Sequence, residues 1–262
     1  MASGSHYMVA KVVATELVNR GHTVTMVVRD QEEANIKATG DDQLFNFEFH
    51  KCNFTGAETK QLLENMTKAG LKGKYMEFLM SLIGTDHMQR EVSECGDLLL
   101  GDEELIARLR NSNFDLGIVD NSEQCPLMQF LGGPYVVLSP ILTFASPILL
   151  GNRVPFNPAY MPEMMTGLDH KMSFLERLWN TANSIIVGAM FAALPYGELR
   201  VRYHKRLADV SFYHGDADFW LINTHYALDF ARPLLPNSAS VGGLTTREAQ
   251  PLNDVRITCY KK

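Results

Sequence analysis

The chain has 262 residues, 46% hydrophobic and 21% charged, a composition that excludes disordered, collagenous and coiled-coil classes and needs no metal or disulfide staple to bury a core. Lys and Arg number 24 against 30 Asp and Glu, so the formal charge of −6 argues against a nucleic-acid partner. No window reaches the ~18 apolar residues of a membrane span, and the N-terminus MASGSHYMVAK lacks the apolar core of a secretory signal.

In chain order, Tyr7 to Arg20 reads as an amphipathic helix, with Met8, Val9, Val12, Val13 and Leu17 on one face, Ser5 as its N-cap and Gly21 as its stop. His22 to Val28 is rich in β-branched residues and reads as a strand. A second strand is expected over Leu44 to His50, where Phe45, Phe47 and Phe49 alternate with polar residues. Gly56 to Leu109 is helical in pattern. Asn113 to Asp120 reads as a buried parallel strand, Gln124 to Leu131 as a short helix stopped by Gly132-Gly133-Pro134, and Tyr135 to Leu138 as another strand. Five prolines between Pro140 and Pro162 predict a long irregular loop. Phe174 to Leu194 is a strongly apolar helix and Leu199 to Leu207 a basic one. Phe219 to Thr224 is a strand, and Leu234 to Gly243 a strand with a turn. Strands alternating with helices imply an α/β layered domain built on a parallel sheet.

Chemistry-bearing motifs are sparse. The chain has no GxGxxG, no GxxxxGK[ST], no GxSxG and no HExxH, which removes several common α/β enzyme classes. Cys52, Cys95, Cys125 and Cys259 lie far apart with no CxxC pair, which argues against a zinc site and a dense disulfide framework and leaves most of them as small buried hydrophobes. Asn53-Phe-Thr55 and Asn65-Met-Thr67 fit the glycosylation acceptor pattern, which carries weight only if the chain enters the secretory pathway.

Two residues stand out. His6 sits where a helix begins, beside unpaired backbone N–H groups and a positive dipole end, which favours a neutral imidazole able to act as a base. The competing reading is a plain surface histidine next to a tag-like N-terminus. Asp120 closes an apolar strand, and the carboxyl ends of strands in open α/β sheets face the ligand crevice. A carboxylate there can fix an imidazole tautomer and stabilise the imidazolium; the competing reading is a helix N-cap.

Taken in order, several stretches carry a resemblance: Gly4-Ser-His-Tyr-Met; Asn19-Arg-Gly-His-Thr-Val-Thr; Phe114 to Asp120 with Cys125-Pro126-Leu127; Leu131-Gly-Gly-Pro-Tyr135; Pro155 to Trp179; Ala217-Asp-Phe-Trp-Leu-Ile-Asn; Phe230-Ala-Arg-Pro-Leu-Leu-Pro-Asn; and Val241-Gly-Gly-Leu244. Together they resemble the N-terminal half of the UDP-glycosyltransferases of the animal UDP-glucuronosyltransferase type. The resemblance implies a Rossmann-like parallel sheet with flanking helices, the acceptor-binding half of a GT-B fold, over residues 1–252, with a tail of unknown role at 253–262. It implies that His6 is the catalytic base and Asp120 its orienting carboxylate, with acceptor contacts at Ser5, Tyr7, Phe54, Ser139 and Phe144. The chemistry implied is an inverting transfer of glucuronic acid or glucose from a UDP-sugar co-substrate to a hydroxyl of a small lipophilic acceptor, with no metal and no bound cofactor.

The apolar helix Phe174–Leu194 resembles the family's membrane-associating segment, or else is a lid or core helix. Family members are endoplasmic reticulum membrane proteins. The hydrophobic strand that precedes the Gly-Ser-His loop in the family has no counterpart after Met1-Ala-Ser, and nothing after Leu252 resembles the donor domain. A fragment inactive on its own is therefore expected, with exposed sheet edges that favour self-association. The alternative is a non-catalytic protein that binds small lipophiles or associates with itself.

Overall fold

The computed structural model describes residues 4–54, 60–62, 64–65, 67–68, 71, 91, 94–120, 127–139, 149–150, 154–163, 166–193, 216–225 and 233–248. Expectations for 199–207, for Cys125, Phe144 and Cys259, and for the tail 253–262 lie outside the described residues.

Helix α1 spans Gly4–Asn19, and a positive φ of 79° at Gly4 brings the chain into it. It starts three residues earlier than its apolar pattern suggested, so Ser5 lies inside the first turn rather than capping it. Val9 and Ala14 are buried, but Met8 and Val12 are exposed. The helix carries apolar residues on more than one side, and packing rather than pattern decides which side is covered. Strand β1 (Thr25–Arg29) pairs in parallel with β2 (Asn46–His50), from Thr25 opposite Asn46 to Arg29 opposite His50. Between them α2 (Glu33–Thr39) ends at Gly40, whose φ of 72° gives the left-handed stop that residues with a Cβ resist. The alternating phenylalanines behave as expected: Phe45 is buried, and Phe47 and Phe49 stack on each other beneath Val28, Ile36 and Tyr7.

The helical pattern over 56–109 is not one helix. Asp102 interrupts it and caps α3 (Glu103–Asn111), its Oδ1 accepting from the backbone N–H of Leu105 at 3.0 Å. Glu103 and Glu104 in the first turn and Arg108 and Arg110 in the last complement the helix dipole. The buried side of α3 (Leu105, Ile106, Leu109) joins Leu99, Leu100 and Phe130 in a core that Val27 of β1 also touches.

A second sheet has the order β3 (Gly117–Asp120), β4 (Tyr135–Ser139), β5 (Phe219–Ile222), β6 (Ser238–Ser240), and every pairing is parallel. Helix α4 (Leu127–Leu131) crosses from β3 to β4. Trp220, Val137, Ile222 and Tyr135 fill its core with Met161 and Val154 from the proline-rich stretch, so that stretch is partly core and not only loop. Gly242 is required for fit, because a Cβ there would lie 2.5 Å from the carbonyl oxygen of Thr224. The strands are shorter than their apolar runs: β3 loses Asn113–Leu116, where Asn113 takes a positive φ of 48°. Among the described residues β1 and β3 each keep one edge without a strand partner, and they do not pair with each other.

Helix α5 (Phe174–Ala193) is anchored by polar groups. Asn180, fully buried, accepts from the N–H of Glu163 at 2.7 Å and donates to the carbonyls of Pro158 and Met161 at 2.8 Å each.

One expectation is corrected. Cys52 and Cys95, read as separate buried hydrophobes, form a disulfide between the end of β2 and the helical run at 94–101, closing a loop of 43 residues. Two cysteines 43 apart give no spacing signal, and only the fold brings them together. By chain entropy such a closure is worth about 4 kcal/mol. Reduction, or the Cys52→Ala/Cys95→Ala double variant, should lower unfolding stability by roughly 2–4 kcal/mol in urea titration; a change within error would show that the bond does not constrain the unfolded chain.

Candidate active site

Parallel strands put their carboxyl ends on a common rim. Arg29 ends β1, Asp120 ends β3, Ser139 ends β4, and Asn223 follows β5. Helix α1 brings His6 to this rim in its first turn. Its Nδ1 lies 3.1 Å from Asp120 Oδ2 and 3.3 Å from Oδ1, across 114 residues of sequence. The His6 side chain is 28% exposed and that of Asp120 10%.

This arrangement supports defined chemistry. With the Nδ1 proton donated to the carboxylate, the tautomer is fixed and the Nε2 lone pair is left to accept a proton. The Asp120 charge then stabilises the imidazolium that results, and its partial burial strengthens that effect. A pair with this geometry can serve as a general base with an orienting carboxylate.

The other expected residues divide. Ser5 is exposed, next to His6 on α1. Ser139 is fully buried at the end of β4, where its carbonyl accepts from Asn223 N–H at 2.9 Å. Phe54 is half-buried beyond the end of β2. Tyr7 turns from the neighbourhood of Asp120: its hydroxyl donates to Asp41 Oδ2 at 2.5 Å, and its ring packs with Val28 and Ile36.

That contact exposes a feature the sequence did not signal. Asp41, 1% exposed, also accepts from Lys11 Nζ at 2.5 Å. Tyr7 and Lys11 are one helical turn apart, so α1 grips a single buried carboxylate just below the turn that carries His6. Burial alone would raise the Asp41 pKa, but the hydrogen bonds from Lys11, Tyr7 and Thr39 outweigh it and the net shift is downward. The Tyr7 hydroxyl is pushed well above its ordinary range, by burial first and by Asp41 second. Lys11 on the same face as Tyr7 was the only sequence clue, and nothing local tied either residue to the Asp41-Asp42 turn.

Arg29 was missed as well. Its Nη1 donates to Glu91 Oε1 at 2.6 Å, while its buried Nε has no partner among the described residues. Among the described residues no group of three or more His, Cys, Asp or Glu side chains could hold a metal ion, and no helix is long and apolar enough to cross a membrane.

Comparison with known proteins adds to this geometry. The family model described as UDP-glucoronosyl and UDP-glucosyl transferase matches residues 1–258. The chain is 29% identical over 255 residues to the mouse 2-hydroxyacylsphingosine 1-beta-galactosyltransferase, covering 95% of this chain and 44% of that protein. It is 29% identical over 263 residues to the rabbit UDP-glucuronosyltransferase 2B16, covering 95% and 49%. The chain thus spans about half the length of the curated relatives it matches. Among solved structures, the calicheamicin glycosyltransferase CalG4 aligns over 88% of this chain and 48% of its own, at 15% identity and a TM-score of 0.43.

The Asp41 cluster has a pH signature. A carboxylate whose folded pKa is depressed adds stability that is full above its unfolded value near 3.9 and is lost as pH falls through the lower folded value. Asp41→Asn should therefore be less stable than the parent at pH 7, with the gap narrowing below about pH 4. Urea unfolding of both proteins across pH 3–7 checks this, and a gap independent of pH would refute it.

Proposed function

The chain belongs to the UDP-glucoronosyl and UDP-glucosyl transferase family, and from that premise we propose that it is the acceptor-binding half of an inverting UDP-glycosyltransferase in which His6 is the base and Asp120 orients it. The observation that carries this reading is the hydrogen-bonded pair at the strand-end rim, His6 Nδ1 to Asp120 Oδ2 at 3.1 Å. His6 Nε2 takes the proton of an acceptor hydroxyl. The hydroxyl oxygen attacks the anomeric carbon from the face opposite the bond to UDP, and UDP leaves with the bonding electrons. Ser5, beside His6, and Phe54 and Phe144 from the family resemblance are the acceptor-side candidates, whereas Ser139 is fully buried and Tyr7 is turned toward Asp41. The acceptor is a small lipophilic alcohol or phenol, in keeping with the sphingolipid named for the mouse relative.

Two measurements test this. Fused to the remaining half of the mouse relative, the chain should lose roughly 10²–10⁴-fold in transfer rate on His6→Ala, with Asp120→Asn also impaired. By itself the 262-residue chain should bind a lipophilic phenol such as naphthol but no UDP-sugar tighter than millimolar; micromolar UDP-glucose binding by calorimetry would overturn the division of labour.

Helix α5 points to where such acceptors come from. Its buried side is polar (Asn180, Asn183), whereas Phe174, Leu175, Leu178, Trp179, Ile185 and Ile186 are exposed along one side. Outward apolar residues around buried asparagines suit a helix lying in a membrane interface rather than in water. Because Trp220 is buried and Trp179 exposed, lipid contact should be visible in fluorescence. Adding phosphatidylcholine vesicles should blue-shift the emission, and Leu178→Asp/Ile185→Asp should abolish the shift. No shift in the parent would rule out this contact.

A further inference from the structure

Apolar contact holds helix α1 only lightly. Val9 and Ala14 are its buried residues, whereas Met8 and Val12 are exposed. Its side-chain hydrogen bonds to other described elements come from His6, Tyr7 and Lys11, and they divide between two anchors. His6 reaches Asp120 on β3, in the second sheet. Tyr7 and Lys11 reach Asp41, in the turn between α2 and β2 of the first. The two sheets do not pair with each other, so no strand ladder fixes α1 against Asp120.

Asp41 is a firm anchor. It follows Gly40, the left-handed stop of α2, and its carbonyl accepts from the N–H groups of Leu44 at 3.0 Å and Phe45 at 3.1 Å. Its carboxylate is buried and takes one donor on each oxygen, Lys11 Nζ on Oδ1 and Tyr7 Oη on Oδ2. On the helix, Tyr7 lies about 100° around the axis from His6, and Lys11 lies about 7.5 Å along it. One donor would leave the helix free to turn about that point. Two donors at different heights fix both its rotation and its position along the axis.

The His6 contact has little slack. Its Nδ1 to Oδ2 distance of 3.1 Å is near the upper end of the roughly 2.6–3.2 Å over which such a pair works. A shift of ~0.5 Å in the first turn would take it out of range. We propose that Asp41 is a positioning residue for His6: by holding Tyr7 and Lys11 it sets α1 so that the imidazole meets Asp120. This inference rests on the proposed function for one point, that His6 is the base.

The test has two arms. In the first, the 262-residue chain is labelled with ¹⁵N-histidine, and its side-chain nitrogen shifts are read at about pH 8, above the ordinary histidine range. His6→Ala assigns the signal, and Asp120→Ala supplies the signature of an imidazole without its carboxylate. In the parent the proton should sit on Nδ1. Asp41→Asn should move it toward Nε2, the form an unpaired imidazole prefers. Lys11→Met, milder because Tyr7 still holds Asp41, should move it the same way and carries the test if Asp41→Asn does not fold. Lys11→Arg should restore the parent signature. Cys52→Ala/Cys95→Ala, which loses stability away from α1, should leave that signature in place. An unchanged His6 signal in the folded Asp41→Asn or Lys11→Met variant overturns the proposal, as does a disulfide variant that shifts it equally.

The second arm uses the fusion to the remaining half of the mouse relative. There Asp41→Asn should lower kcat roughly 10–100-fold, the scale of a small misplacement of a catalytic group, with the acceptor KM nearly unchanged. A kcat equal to the parent's, where His6→Ala is impaired, also overturns the proposal. A fusion that stays active in His6→Ala refutes the base assignment instead, and the nitrogen shifts then decide the role of Asp41 by themselves.

Discussion

In both sheets every strand pairing is parallel, and parallel pairing forces a crossover after each strand. The crossovers are α2 with its flanking turns between β1 and β2, α4 between β3 and β4, and the longer stretch that carries α5 between β4 and β5. One consequence organises the rest: within each sheet all carboxyl ends emerge on one side, so residues far apart in sequence end on a shared rim. Asp120 and Ser139 arrive there on neighbouring strands. His6 arrives from the opposite direction, at the start of a helix whose N–H groups point toward the same rim. A histidine placed there meets a carboxylate without any local sequence relation.

Holding that geometry depends on contacts away from it. Tyr7 and Lys11 fasten α1 to Asp41, and Val27 shares a core with α3 and α4, which links the β1–β2 sheet to the elements beside the second one. The buried carboxylate is tolerable because Tyr7, Lys11 and Thr39 satisfy it; an unpaired one would cost several kcal/mol. The same logic governs α5. Three backbone groups at 158–163, two of them buried, bond the Asn180 amide, and leaving a buried one unpaired would cost on the order of 1–3 kcal/mol. The polar side of the helix is therefore the one that docks, and its apolar side faces outward.

Element type was legible in the residues because it depends on local period. The β-branched run before Arg29, the alternation of Phe45, Phe47 and Phe49, the apolar stretch ending at Asp120 and the Gly132-Gly133-Pro134 stop each predict what the structure contains. His6 and Asp120 were legible as candidates for the same reason, since one sits at a helix start and the other at a strand end. Boundaries were less legible. Asp102 splits a continuous helical pattern because its side chain caps the next helix, and β3 is shorter than its apolar run because Asn113 turns the chain before it.

What the sequence by itself determined is the parallel α/β class, the order of its elements and a short set of candidate residues, all of which follow from side-chain periodicity and backbone preference within a few positions. Tertiary structure alone decided that His6 meets Asp120, that Asp41 is the partner of Tyr7 and Lys11, that Cys52 bonds Cys95, and that α5 turns its asparagines inward. Each of these joins groups 17 to 114 residues apart. Such contacts form only when packing has fixed the positions of whole elements, and no local pattern carries that information.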